Sequence, residues 1–135
     1  MSKLIRIAAA LIDDDQGRLF LVRKRGTAAF MQAGGKIEAG ETPFGALARE
    51  LGEELNLTLT GAHAPLLGIF SCAAANEPGH LLEAHLFHVR AKNREFTIAA
   101  ELDEAVWVTT EAAAQLSLAP FTRDHVLPLA RTMSG

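Results

Sequence analysis

The stretch that most constrains this chain is TPFGALARELGEELN, residues 42 to 56. Thr42 can cap a helix with its hydroxyl, Pro43 suits the first helical position, and Asn56 tolerates the left-handed conformation that closes a helix. The spacing predicts a helix over 43–55. At 100° per residue with Glu50 at the origin, Glu53 falls at about 300° and Glu54 at about 40°, so the three share an arc of about 100°. Phe44, Leu47, Ala48, Leu51 and Leu55 fall between about 60° and about 160°, a stripe facing a core. Arg49 lies at about 260°, beyond the acidic arc. The carboxylates therefore border the buried stripe and do not ring the solvent face.

Like charges at this spacing repel by a few tenths of a kcal/mol per pair. The macrodipole disfavours anions in the last helical turns as well. No lysine shares their arc. A solvated acidic face is the ordinary reading of such a helix. A bound divalent cation is the sharper one, because it removes both penalties and hard cations take carboxylate oxygens. Just upstream, Gly34-Gly35 lets backbone approach a ligand closely.

Around this helix the chain reads as one domain, 1–135, of α/β (α+β) class with a mixed sheet and helices on its faces. Leu4 to Ile12 and Arg18 to Arg25 read as strands joined by the Asp13-to-Gly17 turn, and Gly26 to Gly40 reads as irregular. Pro65 to Ala75 and Leu81 to Arg90 are strand-like, with a turn at Asn76-Glu77-Pro78-Gly79. Glu104 to Thr109 is a further short strand. Glu111 to Leu116 and Phe121 to Arg131 read as helices, the second interrupted or ended near Pro128. The apolar run Ile7 to Ile12 is too short for a signal segment and ends in aspartates.

Net charge is −3, and the 13 Lys and Arg form no long run. This argues against an extended nucleic-acid surface or an anionic membrane as partner. A lone Cys72 suits a reducing, cytoplasmic setting.

The spacing Gly35, five residues, Glu41, seven residues, then Arg49-Glu50-Leu51-Gly52-Glu53-Glu54-Leu55-Asn56-Leu57 resembles the Nudix box GX5EX7REUXEEXGU, over residues 35–57. Only the last glycine departs, as Asn56, which tolerates the same left-handed conformation. Ala33 stands where the family usually has proline. GGKIEAGETP looks most like the MutT-type branch.

The resemblance implies an α/β/α sandwich that cleaves a nucleoside diphosphate linked to X, most often a (d)NTP or oxidised (d)NTP, to NMP and pyrophosphate. It implies Mg²⁺, with Mn²⁺ as an alternative, held by Glu50, Glu53, Glu54 and the Gly34 carbonyl. Glu50 or Glu101 would serve as base, and Glu41 and Arg49 would support the site. Arg23, Gly35, Lys36 and Asp124 are the candidates for substrate contact. Asp103 and Glu104 compete locally with Glu101, and the ordinary reading of Arg23 is a solvent-facing strand residue. No asparagine occurs in FTRDHVLP, where oxidised-guanine enzymes of the family place one.

Other substrates remain open: ADP-ribose, a nucleotide sugar or an RNA 5′ end. A catalytically silent nucleotide sensor and a homodimer remain open too. His85 and His88 fall on opposite strand faces, and with His63, His80, Cys72 and Trp107 they read as packing or loop residues.

Overall fold

The computed structural model describes residues 3–61, 64–74, 77–91 and 96–133. His63 and Asn76, named above, lie outside these. The elements run β1 (Leu4–Asp13), β2 (Arg18–Lys24), β3 (Phe30–Met31), β4 (Ala33–Lys36), α1 (Pro43–Leu55), β5 (Leu66–Ala73), β6 (Leu81–Arg90), β7 (Leu102–Thr109), α2 (Thr110–Ala113) and α3 (Leu127–Met133). β1 is the centre. It pairs in parallel with β6 along its whole length, from Leu4↔Leu81 to Asp13↔Arg90. Its other edge is shared: β4 runs antiparallel beside Ile7–Ala10, and β2 takes only Ile12 and Asp13. β7 extends the sheet from β2, and β5 closes it beside β6. This is the mixed sheet expected.

Alternation along β1 feeds two cores. Ala8, Ala10 and Ile12 pack with Leu47, Leu51 and Leu55 of α1. Ala9 and Leu11 pack with Val126, Leu127 and Ala130 of the C-terminal helix. The small residues at 8–10 let β4 and α1 come close to the sheet. Trp107 joins the first core through Phe20 and Phe96, as packing predicts. Among the described residues no helix is long and apolar enough to cross a membrane.

Two readings are corrected. The segment 26–40 is not wholly irregular: Phe30–Met31 and Ala33–Lys36 are strands. Neither is long enough to show periodicity, and each exists because a neighbouring strand supplies its ladder. Ala33, in place of proline, pairs with Ala10 and is held that way. The last helix is interrupted just ahead of Pro128, as one of the two expected outcomes has it, and is not ended there. A wide π turn over Thr122–Val126 precedes it, with the Leu127 N–H donating to Thr122 O, and helix continues through Pro128 to Met133. The wider turn accommodates a residue with no N–H to give. The preceding helix is also shorter than expected, Thr110–Ala113.

Candidate active site

α1 forms as its ends require. Thr42 Oγ1 accepts from the Gly45 N–H at 3.0 Å, Pro43 occupies the first turn, and Asn56 closes the helix at φ 54°, ψ 37°. The helix buries Ala46, Leu47, Leu51, Glu54 and Leu55. The buried arc is thus rotated toward the acidic residues: Ala46 is inside it and Ala48 only partly buried. Glu54 lies in the interface and does not merely border it.

The three glutamates have three environments. Glu54 is 4% exposed, and its Oε1 accepts from the Gly34 N–H at 3.0 Å. Burial pushes its carboxyl up to about 7; the Gly34 hydrogen bond and Lys24 oppose this, and the charges of Glu50 and Glu101 add to it. Glu50 lies against the glycine pair. A β-carbon at Gly35 would sit 2.5–2.7 Å from its carboxylate, so any larger residue there displaces the Glu50 side chain. Glu53 points outward, its side chain 55% exposed. At Gly34, φ is +139° and a β-carbon would overlap the Ala8 carbonyl. Gly34 is therefore required by its backbone conformation and close approach to β1, and Gly35 leaves room for the Glu50 carboxylate on the other side of β4.

Arg49 organises the rest. Its Nε and Nη2 donate to both oxygens of Glu41 at 2.8 and 3.0 Å, its Nη1 to Glu50 at 2.9 Å, and its Nη2 to the Lys36 carbonyl at 3.1 Å. Nη1 also lies 3.6 Å from Glu53. The hydrogen bonds from Arg49 hold Glu41 down at about 2. Placed by angle alone, Arg49 stood outside the acidic arc. Its length brings the guanidinium back across it, which relieves part of the repulsion without a metal.

Glu101 sits in a tight turn suspended from α1. The Ala99 N–H donates to Glu54 O at 2.8 Å, Leu102 N–H to Ala99 O, and Arg25 N–H to Glu101 O. Ala100 takes the left-handed conformation, φ 57°. The turn brings Glu101 within electrostatic reach of Glu54. Its competitors go elsewhere: Asp103 and Glu104 both bind Arg23, at 3.2 and 3.1 Å. Asp103 is the extra residue of a bulge opposite Arg23 and Lys24, so consecutive carboxylates reach one guanidinium. Arg23 also donates to Thr27 O at 2.8 Å, and these partners hold it against β7.

A cavity of about 150 Å³ opens beside the cluster, lined by Ile5, Ile7, Ala9, Met31 and Phe121 with Lys24, Gln32, Gly34, Gly35, Lys36 and Thr122. Asp124 is not among its lining residues. It is exposed and paired with Arg123 at 2.8 Å. The same segment contributes Phe121 and Thr122 instead. Sequence reasoning missed Lys24, Gln32 and Thr122. Lys24 had a visible signal, a cation next to Arg23 on one strand. The other two join the wall only through long-range packing. His85, His88 and His80 bond to Glu83, Asp13 and the Pro78 carbonyl, away from this cluster.

The hard-oxygen donors and the surplus negative charge at Glu54 fit a divalent cation. Among the described residues, however, no three His, Cys, Asp or Glu side chains converge into a ready ligand set. Glu50 is turned to Arg49, and Glu53 to solvent.

The layered α/β/α fold thus gathers carboxylates under a glycine pair, beside a small cavity lined by both apolar and charged residues. The NUDIX domain model matches residues 3–130, and the chain belongs to that family. It is a Nudix pyrophosphohydrolase. It is 32% identical over 124 residues to the CTP pyrophosphohydrolase of Escherichia coli K12, covering 87% of this chain and 85% of that one. It is 39% identical over 64 residues to the 8-oxo-dGTP diphosphatase of Haemophilus influenzae, covering 44% of this chain and only 47% of that relative. Among solved structures, the E. coli ORF135 protein superposes with a TM-score of 0.69 at 30% identity, over 98% of this chain and 89% of that one. The E. coli dihydroneopterin triphosphate pyrophosphohydrolase superposes at 0.80 with 19% identity, over 98% and 99%, and speaks for the fold alone.

Proposed function

We propose that this chain hydrolyses a nucleoside triphosphate to the monophosphate and pyrophosphate, with Mg²⁺ as the divalent cation. One observation carries the reading: Gly34, Gly35, Lys36 and Lys24 belong at once to the carboxylate cluster and to the cavity. A ligand with its aromatic part in the cavity would thus lay its phosphates along β4 toward Glu50 and Glu54. The relatives named for CTP and for 8-oxo-dGTP support this substrate class.

In this reading Glu50, Glu53, Glu54 and the Gly34 carbonyl would hold the cation, which would supply positive charge for the phosphates and a more acidic water. Lys24 and Lys36 offset the charge that builds on the phosphate oxygens. Arg49, clamped by Glu41, fixes Glu50 beside Gly35. Glu101, held by the 99–102 turn and free of the ion pairs that engage Asp103 and Glu104, accepts the proton of the attacking water. The bond between water oxygen and phosphorus forms as the bridging P–O bond breaks, and pyrophosphate leaves. Arg23 and Asp124 stand outside this scheme, since neither lines the cavity and Arg23 is held against β7 by Asp103 and Glu104.

The test is release of pyrophosphate from a panel of nucleotides with and without Mg²⁺. Release from at least one (d)NTP, abolished by chelator, supports the reading. Protein that binds nucleotides but turns over none would show a sensor domain instead.

A further inference from the structure

The cavity wall contains a buried hydrogen-bond chain whose polarity is forced. Gln32 Nε2 donates to the Ala10 carbonyl at 3.2 Å, and Thr122 Oγ1 donates to Gln32 Oε1 at 3.0 Å. Gln32 is 6% and Thr122 2% exposed, and both line the cavity. A backbone carbonyl can only accept, so the Gln32 amide must turn its NH₂ toward Ala10. That turns its oxygen toward Thr122, and the threonine hydroxyl must then supply the proton. Its one proton is spent, and Thr122 offers the cavity lone pairs only.

We propose that this Gln32–Thr122 relay makes the cavity selective for nucleobases that set an exocyclic amine, over those that set an exocyclic carbonyl, against Thr122 Oγ1. The proposal rests on the nucleotide reading above and names the substrate class within it. A dry apolar cavity of comparable size holds one aromatic ring. Ile7, Met31 and Phe121 supply the apolar surround here. A base amine donates to Thr122 Oγ1 and leaves the relay intact. A base carbonyl needs the Thr122 proton, and taking it leaves Gln32 Oε1 buried and unpaired. That penalty corresponds to roughly a tenfold to hundredfold loss.

The experiment compares pairs in which the exocyclic amine becomes a carbonyl, the neighbouring ring nitrogen changing from acceptor to N–H donor: CTP with UTP, and ATP with ITP. Wild-type protein should favour the amine-bearing member of each pair by about tenfold or more in kcat/KM. Gln32→Met removes the acceptor that claims the hydroxyl proton, so Thr122 can donate or accept. The ratio should then fall to within about threefold through improved use of UTP and ITP, a relaxation that general damage would not produce. Thr122→Ser keeps the relay and should keep the ratio. If no nucleotide is hydrolysed, the function reading fails, but calorimetric binding of CMP against UMP and AMP against IMP still decides this proposal. Equal treatment of the pairs by wild-type protein, no binding of any of them, or an unchanged ratio in a folded Gln32→Met variant would overturn it.

Discussion

Asp13 and Glu54 are both nearly inaccessible, at 8% and 4% exposed, yet their ionisation is driven in opposite directions. Burial raises both. At Asp13, hydrogen bonds from His88 and Arg90, each 2.8 Å, outweigh it and bring the carboxyl below the usual range. At Glu54 the Gly34 N–H and Lys24 do not suffice, and Glu50 and Glu101 add like charge. Equal burial therefore does not mean equal purpose. The Asp13 cluster at one end of the sheet is electrostatically complete and holds β1 to β6. The Glu54 cluster keeps like charge that no neighbouring cation cancels, a pattern that gathers at functional sites.

Replacing the two carboxylates is the strongest way to break this contrast. Glu54→Gln keeps an acceptor for the Gly34 N–H and removes the charge. Turnover should drop about 10²–10³-fold, while metal-free stability at pH 8 rises. Wild-type turnover in this variant would end the metal assignment. Chemical denaturation with and without Mg²⁺ checks the rest: added cation should stabilise the wild-type protein more than the variant.

The pH dependence should carry opposite signs at the two ends. Glu54 has a folded pKa of about 7 against an ordinary 4.5. Its contribution to metal-free stability is full below about pH 4.5 and is lost as pH rises through about 7, a swing on the order of 3 kcal/mol. Asp13 is lowered, so its contribution is present above its ordinary 3.8 and is lost as pH falls through the folded value. Denaturation midpoints of metal-free protein from pH 3 to pH 8.5, with Glu54→Gln and Asp13→Asn in parallel, separate the two arms. Each variant should erase one arm and leave the other.

Asp13→Asn should also cost about 1–3 kcal/mol near neutral pH, because His88 and Arg90 lose a charged acceptor. Turnover per folded molecule should stay within about twofold, since neither group approaches the Glu54 cluster. A large kinetic loss in a stably folded Asp13→Asn protein would show that the two ends are coupled.

What was legible in the sequence follows the range of the interaction. Helix 43–55 was legible because Thr42, Pro43 and Asn56 act within a turn of their own positions. That Glu50, Glu53 and Glu54 lie near one another on this helix was legible from spacing, but not that one would be buried, one paired with Arg49 and one turned to solvent. Four-residue β4 was not legible, since Ala33–Lys36 becomes a strand only by pairing with Ile7–Ala10. Arg49 was expected to support the site, but its angle about the helix axis alone placed it outside the acidic arc, because an angle ignores the reach of a long side chain. The Arg23 engagement depends on a bulge at Asp103, and the Gln32–Thr122 bond joins residues 90 apart in the chain. No local pattern records either.

The smallest effect concerns the two turns beside these clusters. The Asp14-to-Arg18 turn places Gly17 at φ +77°, where glycine pays no steric cost. The 99–102 turn places Ala100 at φ +57°, where an alanine is strained by about 1–2 kcal/mol. Ala100→Gly should therefore raise stability, by about 0.5–1 kcal/mol after the added entropy of the unfolded chain is counted. Gly17→Ala should lower it by at least as much. The turnover prediction sharpens the contrast. Ala100 restricts the backbone that presents Glu101, so Ala100→Gly should lower kcat about twofold to fivefold with KM little changed, although the protein is more stable. Gly17→Ala should leave kcat alone. If Ala100→Gly gained stability with no kinetic loss, the strain at 100 would be incidental, and Glu101 would need no rigid turn to do its work.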